Sequence, residues 1–332
     1  MESQADIQLQ LFQKIRDQIP AHVSLVDEIA EVLGISIDSA YRRIRGEKQL
    51  SLQEVGELSC HFKFSVDDLT GSPVNSVTFN TNFLVEGEYS FTDWLKGLLS
   101  VTRETGVAND SEAIFILNEL NIYHIIQFPE VCAFKLFFWQ KSNLNFPGYK
   151  DKCFSIDELD RDMMEMLKEI VASYVKVRTK EFTTKECLNS YLKQVLYYSE
   201  AGYFDTRDDA LTLCARLYDL VDHIQKQAEL GFKFTSGQPH VGEEGNFQLF
   251  YNDIILADNT ILIKAGENRT SYLTSNAINL MYSHNREFFD YNYQWGRNLL
   301  AKSPPISGTA EKERNRFFRI LREQIEKVSD KI

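Results

Sequence analysis

Residues Ser24–Gly46 read SLVDEIAEVLGISIDSAYRRIRG, and the spacing of their apolar side chains decides how the first part of the chain folds. Leu25, Ile29 and the Val32-Leu33 pair fall on one face of a helix that Ser24 caps. Gly34 then permits a left-handed turn that a side chain would disfavour. A second helix, predicted over Ile37 to Arg45, buries Ala40 and Ile44 and ends at Gly46. Its end carries Arg42, Arg43 and Arg45, with Lys48 just beyond, in a chain whose formal charge is -12.

Working outward from this pair, Ile7, Leu11, Ile15 and Ile19 recur every four positions and predict a preceding helix that stops at Pro20. On the other side, Ser51-Leu-Gln-Glu54 is a capping box, in which the serine accepts from a free amide and the glutamate reaches back. It opens a helix expected to bury Leu52, Val55, Leu58 and Phe62, with Gly56 kept small for close packing. Ser65-Val-Asp-Asp68 repeats the cap and predicts a short fifth helix before the Gly71-Ser-Pro73 turn. Residues 1–72 are therefore expected to form a five-helix domain.

Beyond Pro73 the pattern predicts a mainly α chain with an α+β C-terminal part. A mostly helical middle domain is expected over 75–234, and an α+β region over 246–332, alone or in one body with it. VTFNTNFL (Val77–Leu84) alternates like a strand, Phe91–Thr105 reads as a helix, and AIFILNEL and NIYHIIQF read as two strands. EVCAFKLFFWQK is apolar nearly all round, as an interior helix must be. Helices over Asp157–Arg178, Lys185–Ala201 and Arg207–Leu230 suggest an antiparallel bundle. After the polar stretch Thr235–Asn246, β-branched runs broken at Ala257-Asp-Asn259 and Gly266-Glu-Asn268 predict a β-meander. Helices resume after Ser275, the last over Glu311–Val328 with Phe317, Leu321, Ile325 and Val328 on its inner side.

At 332 residues and 43% hydrophobic, the chain is long enough for more than one core. Its acidity excludes coating of a nucleic acid or an anionic membrane along the whole length, so any anionic partner is met locally. Residues 1–72 hold seven Lys and Arg against twelve Asp and Glu, which makes the cations of Arg42–Lys48 a focused exception. Five well-separated cysteines read as reduced thiols, and the acidic start of the chain and the absence of a long apolar run predict a cytoplasmic protein without a membrane span. No HExxH, GxSxG, GxGxxG or Walker loop is present, so no enzyme, metal or cofactor is expected. Phe128, Phe134, Phe137, Phe138 and Trp139 read as core, with a small-molecule pocket as the alternative, and Ser307–Leu321 reads as a solvated charged face.

Leu25–Leu69 as a whole resembles the helix-turn-helix of bacterial and phage Cro-like repressors of the xenobiotic-response-element type. The likeness rests on the small Ala30 where two helices meet, on the Gly34 turn followed by Ile35 and Ser36, and on the Arg45-Gly46 ending. The Ser51-led helix and the closing SVDDL fall in the same register. Many relatives carry an aromatic residue and a glutamate just before Arg-Gly, where this chain has Arg43 and Ile44, so Arg42 and Arg43 both remain candidates for the outward position.

The resemblance implies a bacterial transcription regulator whose Ile37–Arg45 helix lies in the major groove of double-stranded DNA. It gives Ile37 a thymine methyl, Asp38 cytosine N4, and Tyr41, Arg42 and Arg43 bases or phosphates. Ser39, Arg45 and Lys48 then meet phosphates. The remaining chain is expected to sense a small-molecule effector or to build a homodimer. The alternative is an antirepressor- or antitoxin-like protein that uses the same helices to hold another protein.

Overall fold

A computed structural model describes residues 7–19, 23–62, 64, 66, 76–108, 110–158, 161–253, 259–276 and 278–332. The chain divides into two compact units, Met1–Thr78 and Phe79–Ile332. In all it is a mixed α/β protein, and the sheet belongs to the second unit.

In the first unit, four helices are α1 (Ile7–Gln18), α2 (Leu25–Leu33), α3 (Ile37–Ile44) and α4 (Leu52–Phe62). Leu11, Phe12, Ile15, Leu25, Ile29, Ala30, Ala40, Leu58 and Phe64 form their common core. The fifth helix expected from Ser65 falls mostly outside the described residues. Two expectations for α4 need correcting. Leu52 is 91% exposed. A Cβ added at Gly56 would meet nothing within 4 Å, so close packing does not explain this glycine.

The second unit is built on a seven-stranded mixed sheet. Its strands are β1 (Asn80–Thr81), β2 (Ser111–Ile116), β3 (Thr179–Thr183), β4 (Phe247–Tyr251), β5 (Thr260–Ala265), β6 (Asn268–Ser275) and β7 (Asn279–Ser283), in the order β1-β7-β6-β5-β2-β3-β4. β5, β6 and β7 form the expected antiparallel meander, with Gly266 at φ +59° turning the first hairpin. β4 instead leaves it and pairs parallel with β3, which pairs parallel with β2. Parallel neighbours require long crossovers, and helices supply them. Between β2 and β3 run α6 (Ile122–Ile125), α7 (Pro129–Phe138) with a π-helical turn at Trp139–Asn143, and α8 (Arg161–Tyr174). Between β3 and β4 run α9 (Asn189–Glu200) and α10 (Arg207–Leu230). The middle helices are thus crossovers of one sheet, and strands from 75–234 and from 246–332 share it.

Strand alternation sorts the two faces. Ala113 and Phe115 of β2 join the larger core with α5 (Phe91–Val107) and the crossover helices. Ile114 and Ile116 point the other way, against Phe289, Leu299 and Leu300 of α11 (Arg286–Ala301). Gly296 lets α11 approach closely, since a Cβ there would stand 3.2 Å from Ile116 Cδ1. The last helix, α12 (Glu311–Ser329), buries Phe317, Leu321 and Ile325 and packs on α10 of its own unit. In the Ser307–Leu321 stretch, Arg314 is buried and donates to the Gly308 carbonyl at 2.7 Å, tying down the loop before α12.

Two local expectations fail, and one strand is not foreseen. Of Val77–Leu84 only Asn80–Thr81 pairs as a strand. NIYHIIQF contains the short helix α6, whose Asn121 side chain accepts from the Tyr123 amide at 3.2 Å; an apolar run buried all round carries no period that separates strand from helix. β3 follows the expected Asp157–Arg178 helix, in the gap before Lys185 where no strand is expected; its centre, Glu181, is a buried charge that reads as polar in the sequence.

That charge is held by a network. Glu181 Oε2 lies 2.8 Å from His124 Nε2, and Oε1 accepts from the Tyr174 hydroxyl and from Thr179 Oγ1. Lys233 Nζ donates to the Val177 carbonyl (2.6 Å), the Asn246 carbonyl (2.8 Å) and Thr179 Oγ1 (3.0 Å). Burial alone pushes the Glu181 carboxyl up, but His124, Tyr174 and Lys233 outweigh it and hold its pKa at about 2. The adjoining void is about 20 Å³, room for about one water. The network therefore clamps α6, α8 and β3 together. Among the described residues no helix is long and apolar enough to cross a membrane, and no cluster of three or more His, Cys, Asp or Glu is placed to hold a metal.

Candidate nucleic-acid interface

Three residues, Gly34, Ile35 and Ser36, make the turn between α2 and α3. Ser24 Oγ accepts from the Asp27 amide at the start of α2. At its end Gly34 takes φ +60°, and the Ile35 amide donates to the Ala30 carbonyl at 3.0 Å. Ser36 immediately caps α3, accepting from the Ser39 amide at 3.3 Å and donating to Ser39 Oγ at 3.0 Å. Two helices thus meet across a short, hydrogen-bonded corner, with Ala30 and Ala40 small enough to bring them together.

α3 is amphipathic in an unusual way. Ala40 faces the core, and so does Arg43, which is only 4% exposed. Arg43 Nε and Nη2 donate to Glu54 Oε1 at 3.1 and 2.5 Å, and Nη1 donates to the Ser39 carbonyl at 3.1 Å. Glu54 is at the same time the far half of the α4 capping box. Its Oε2 accepts from the Ser51 amide at 2.8 Å, while its own amide donates to Ser51 Oγ. Burial pushes the Glu54 carboxyl up, yet the Arg43 guanidinium and the Ser51 amide outweigh this and hold it below its ordinary range. One carboxylate therefore locks α3 to the start of α4.

The outward face of α3 consists of Ile37, Asp38, Tyr41, Arg42 and the capping Arg45, all exposed. At 3.6 residues per turn these five span an arc of about 140°. Lys48 is exposed just beyond, after Gly46 turns the chain at φ +76°. The Arg45 guanidinium stands 5.4 Å from the Tyr41 ring centroid and 3.7 Å from Glu47, an exposed pair that contributes little. Ile37 and Tyr41 are the apolar part of the same face.

Seven of the eight residues singled out in the sequence lie on or beside this face: Ile37, Asp38, Tyr41, Arg42, Arg45 and Lys48 in the open, and Ser39 half-buried against Ser36. Arg43 does not belong with them. Its helical position, three residues after Ala40, turns it inward, and Glu54 neutralises it there. Sequence reasoning also missed Gln8 of α1. Its Nε2 donates to the carbonyls of Arg43 (2.7 Å) and Lys48 (2.8 Å), and its Oε1 accepts from the Leu50 amide at 2.9 Å, so α1 fixes the loop that carries Lys48. No local signal marks a glutamine whose partners lie about forty residues on. No protein-family model matches this chain, and neither does any curated protein or solved structure searched.

Proposed function

We propose that this protein is a sequence-specific DNA-binding transcription regulator whose α3 enters the major groove and whose larger unit senses an effector or builds a homodimer. The observation that carries the reading is the sorting of α3: its one buried cation is neutralised from within, while Arg42, Arg45 and Lys48 are left outward around Ile37 and Tyr41. On this reading Ile37 contacts a thymine methyl, Asp38 accepts from cytosine N4, and Tyr41 and Arg42 reach base edges or phosphates. Arg45 and Lys48, with the Ser39 hydroxyl, bind phosphates and fix register. A dimer would set two such helices about 34 Å apart and read an approximately palindromic site. Selection of bound sites from random duplexes with the purified chain tests it. An enriched motif is expected, and the double variant Arg42→Ala/Arg45→Ala should bind that motif at least about tenfold more weakly.

A second reading has its own support. Leu52, at the start of α4, is almost fully exposed, Ile37 and Tyr41 are exposed as well, and the first unit is acidic overall. These features suit an apolar protein partner. In that case random duplexes would yield no motif, and Leu52→Lys would abolish partner capture.

A further inference from the structure

The face of the sheet that carries Phe115 is not packed solid. Between it and α5 lies a cavity of about 430 Å³, within the range of pockets that hold small organic ligands. It is partly open to solvent, so a ligand has a way in, and its lining is largely apolar. Its walls are the sheet and one helix. The floor is the sheet, with Phe115 on β2, Ile263 on β5 and Tyr272 on β6 held in register by the antiparallel ladders. The roof is α5, whose Trp94, Gly97 and Leu98 line the space, while Gly106 farther along the helix packs against α8 near the Ser173 carbonyl.

Gly97 contributes by what it leaves out. A glycine inside a helix costs about 1 kcal/mol relative to alanine. A Cβ here would meet only the Tyr89 hydroxyl, at 3.7 Å, so packing does not require the glycine. The volume it keeps free belongs to the cavity.

The polar groups at one end describe the ligand's chemistry. Trp94 is buried and its ring lines the cavity, but its indole nitrogen is itself covered, so a ligand meets the ring and not the N–H. The Trp139 ring stands edge-on to Trp94 at 5.8 Å. Beside it stands Lys135, the one Lys or Arg among the described residues that line the cavity, and its Nζ is already engaged by Glu119 (3.2 Å), which also lines the cavity, and by Gln194 (3.3 Å). With its cation paired, the site has no charge to offer an anion, and its aromatic walls favour flat rings.

We infer that this cavity binds an uncharged, ring-bearing, mostly apolar small molecule that packs against the Trp94 and Trp139 rings. Of the aromatic residues Phe128–Trp139 considered for a pocket, Trp139 alone lines it. Phe128, Phe134 and Phe137 are core, and Phe138 lines a separate open cleft. The inference stands independently of whether α3 binds DNA.

The test uses the full chain and N-phenyl-1-naphthylamine, an uncharged aromatic probe whose fluorescence rises in apolar surroundings. Saturable binding with energy transfer from tryptophan is expected, because Trp94 and Trp139 line the site. Gly97→Leu, which fills the space from the roof, should weaken binding about tenfold or more, while Gly97→Ala should bind nearly as wild type. Thr274→Phe fills it from the floor and should act like Gly97→Leu, so the test survives if one variant fails to fold by circular dichroism. 2-Acetonaphthone, an uncharged aromatic ketone, should displace the probe better than 2-naphthoate. Non-saturable binding, unchanged affinity in the folded filling variants, or tighter competition by 2-naphthoate would each overturn the assignment.

Discussion

Replacing Arg43 by methionine keeps most of the stem that packs beside Ala40 and removes the guanidinium that holds Glu54. Three hydrogen bonds disappear, two of them to the carboxylate at 3.1 and 2.5 Å and one to the Ser39 carbonyl at 3.1 Å. Breaking a buried ion pair from one side costs about 3–5 kcal/mol, because the other charge is stranded. Glu54 is not fully stranded here: it keeps the Ser51 amide at 2.8 Å, and 18% of its side chain reaches solvent. Methionine also refills part of the apolar volume. The expected loss is therefore at the lower end, about 2–4 kcal/mol for the first unit. All three tryptophans (Trp94, Trp139, Trp295) lie in the second unit, so fluorescence would not report it. Amide hydrogen exchange followed by mass spectrometry on peptides from residues 24–62 does. Protection there should fall roughly 30- to 1,000-fold, since each 1.4 kcal/mol is a factor of ten. Arg42→Met, one position away on the open face, should change it by less than about 0.5 kcal/mol. Equal effects from the two substitutions would refute the division of α3 into an inward and an outward cation.

Other consequences are open to direct measurement. Gly56→Ala should stabilise the first unit by about 0.5–1 kcal/mol, read by the same exchange experiment, because the position is helical and a Cβ there has open space; destabilisation would mean that α4 packs differently. Acid should weaken the second unit through Glu181, whose pKa of about 2 in the folded chain lies below its ordinary 4.5. Between those values the unfolded chain binds more protons, so this stabilisation is complete above about pH 5 and fades as the pH falls toward 2. Glu181→Gln should lower thermal stability at pH 7 by about 3 kcal/mol and flatten that acid limb. A variant with wild-type melting at pH 7 would show that the His124–Glu181–Tyr174 network does not clamp the fold.

What could be read from the sequence tracks how local the determining interactions are. Ser24, Gly34, Ser36 and the Ser51–Glu54 box act on neighbours within four residues, and the helices they bound appear where their pattern puts them. The Gly266 hairpin and α12, with its Phe317–Leu321–Ile325 stripe, are equally local. The failures are non-local. Arg43 turns inward because a carboxylate eleven residues away waits there, and Gln8 binds partners some forty residues on. β3 is a strand because neighbours from two distant segments, β2 and β4, flank it, and its charged centre reads as polar until His124 and Tyr174 are seen around it. Leu52 illustrates the opposite error, an apolar residue with helical spacing that the tertiary fold leaves outside. For α3, the helix and its caps were legible, and the inward turn of Arg43 was not.

The most direct test of the central claim measures affinity for a selected duplex as a function of salt. Three outward cations per head, used by two heads, would neutralise up to about six phosphates, so log K should fall with log salt at a slope of up to about -5. Arg42→Ala/Arg45→Ala should make that slope shallower by about 2 or more while hydrogen exchange in residues 24–62 stays as in the wild type. A flat salt response, or a slope the double variant leaves untouched, would contradict the assignment of α3's open face to DNA.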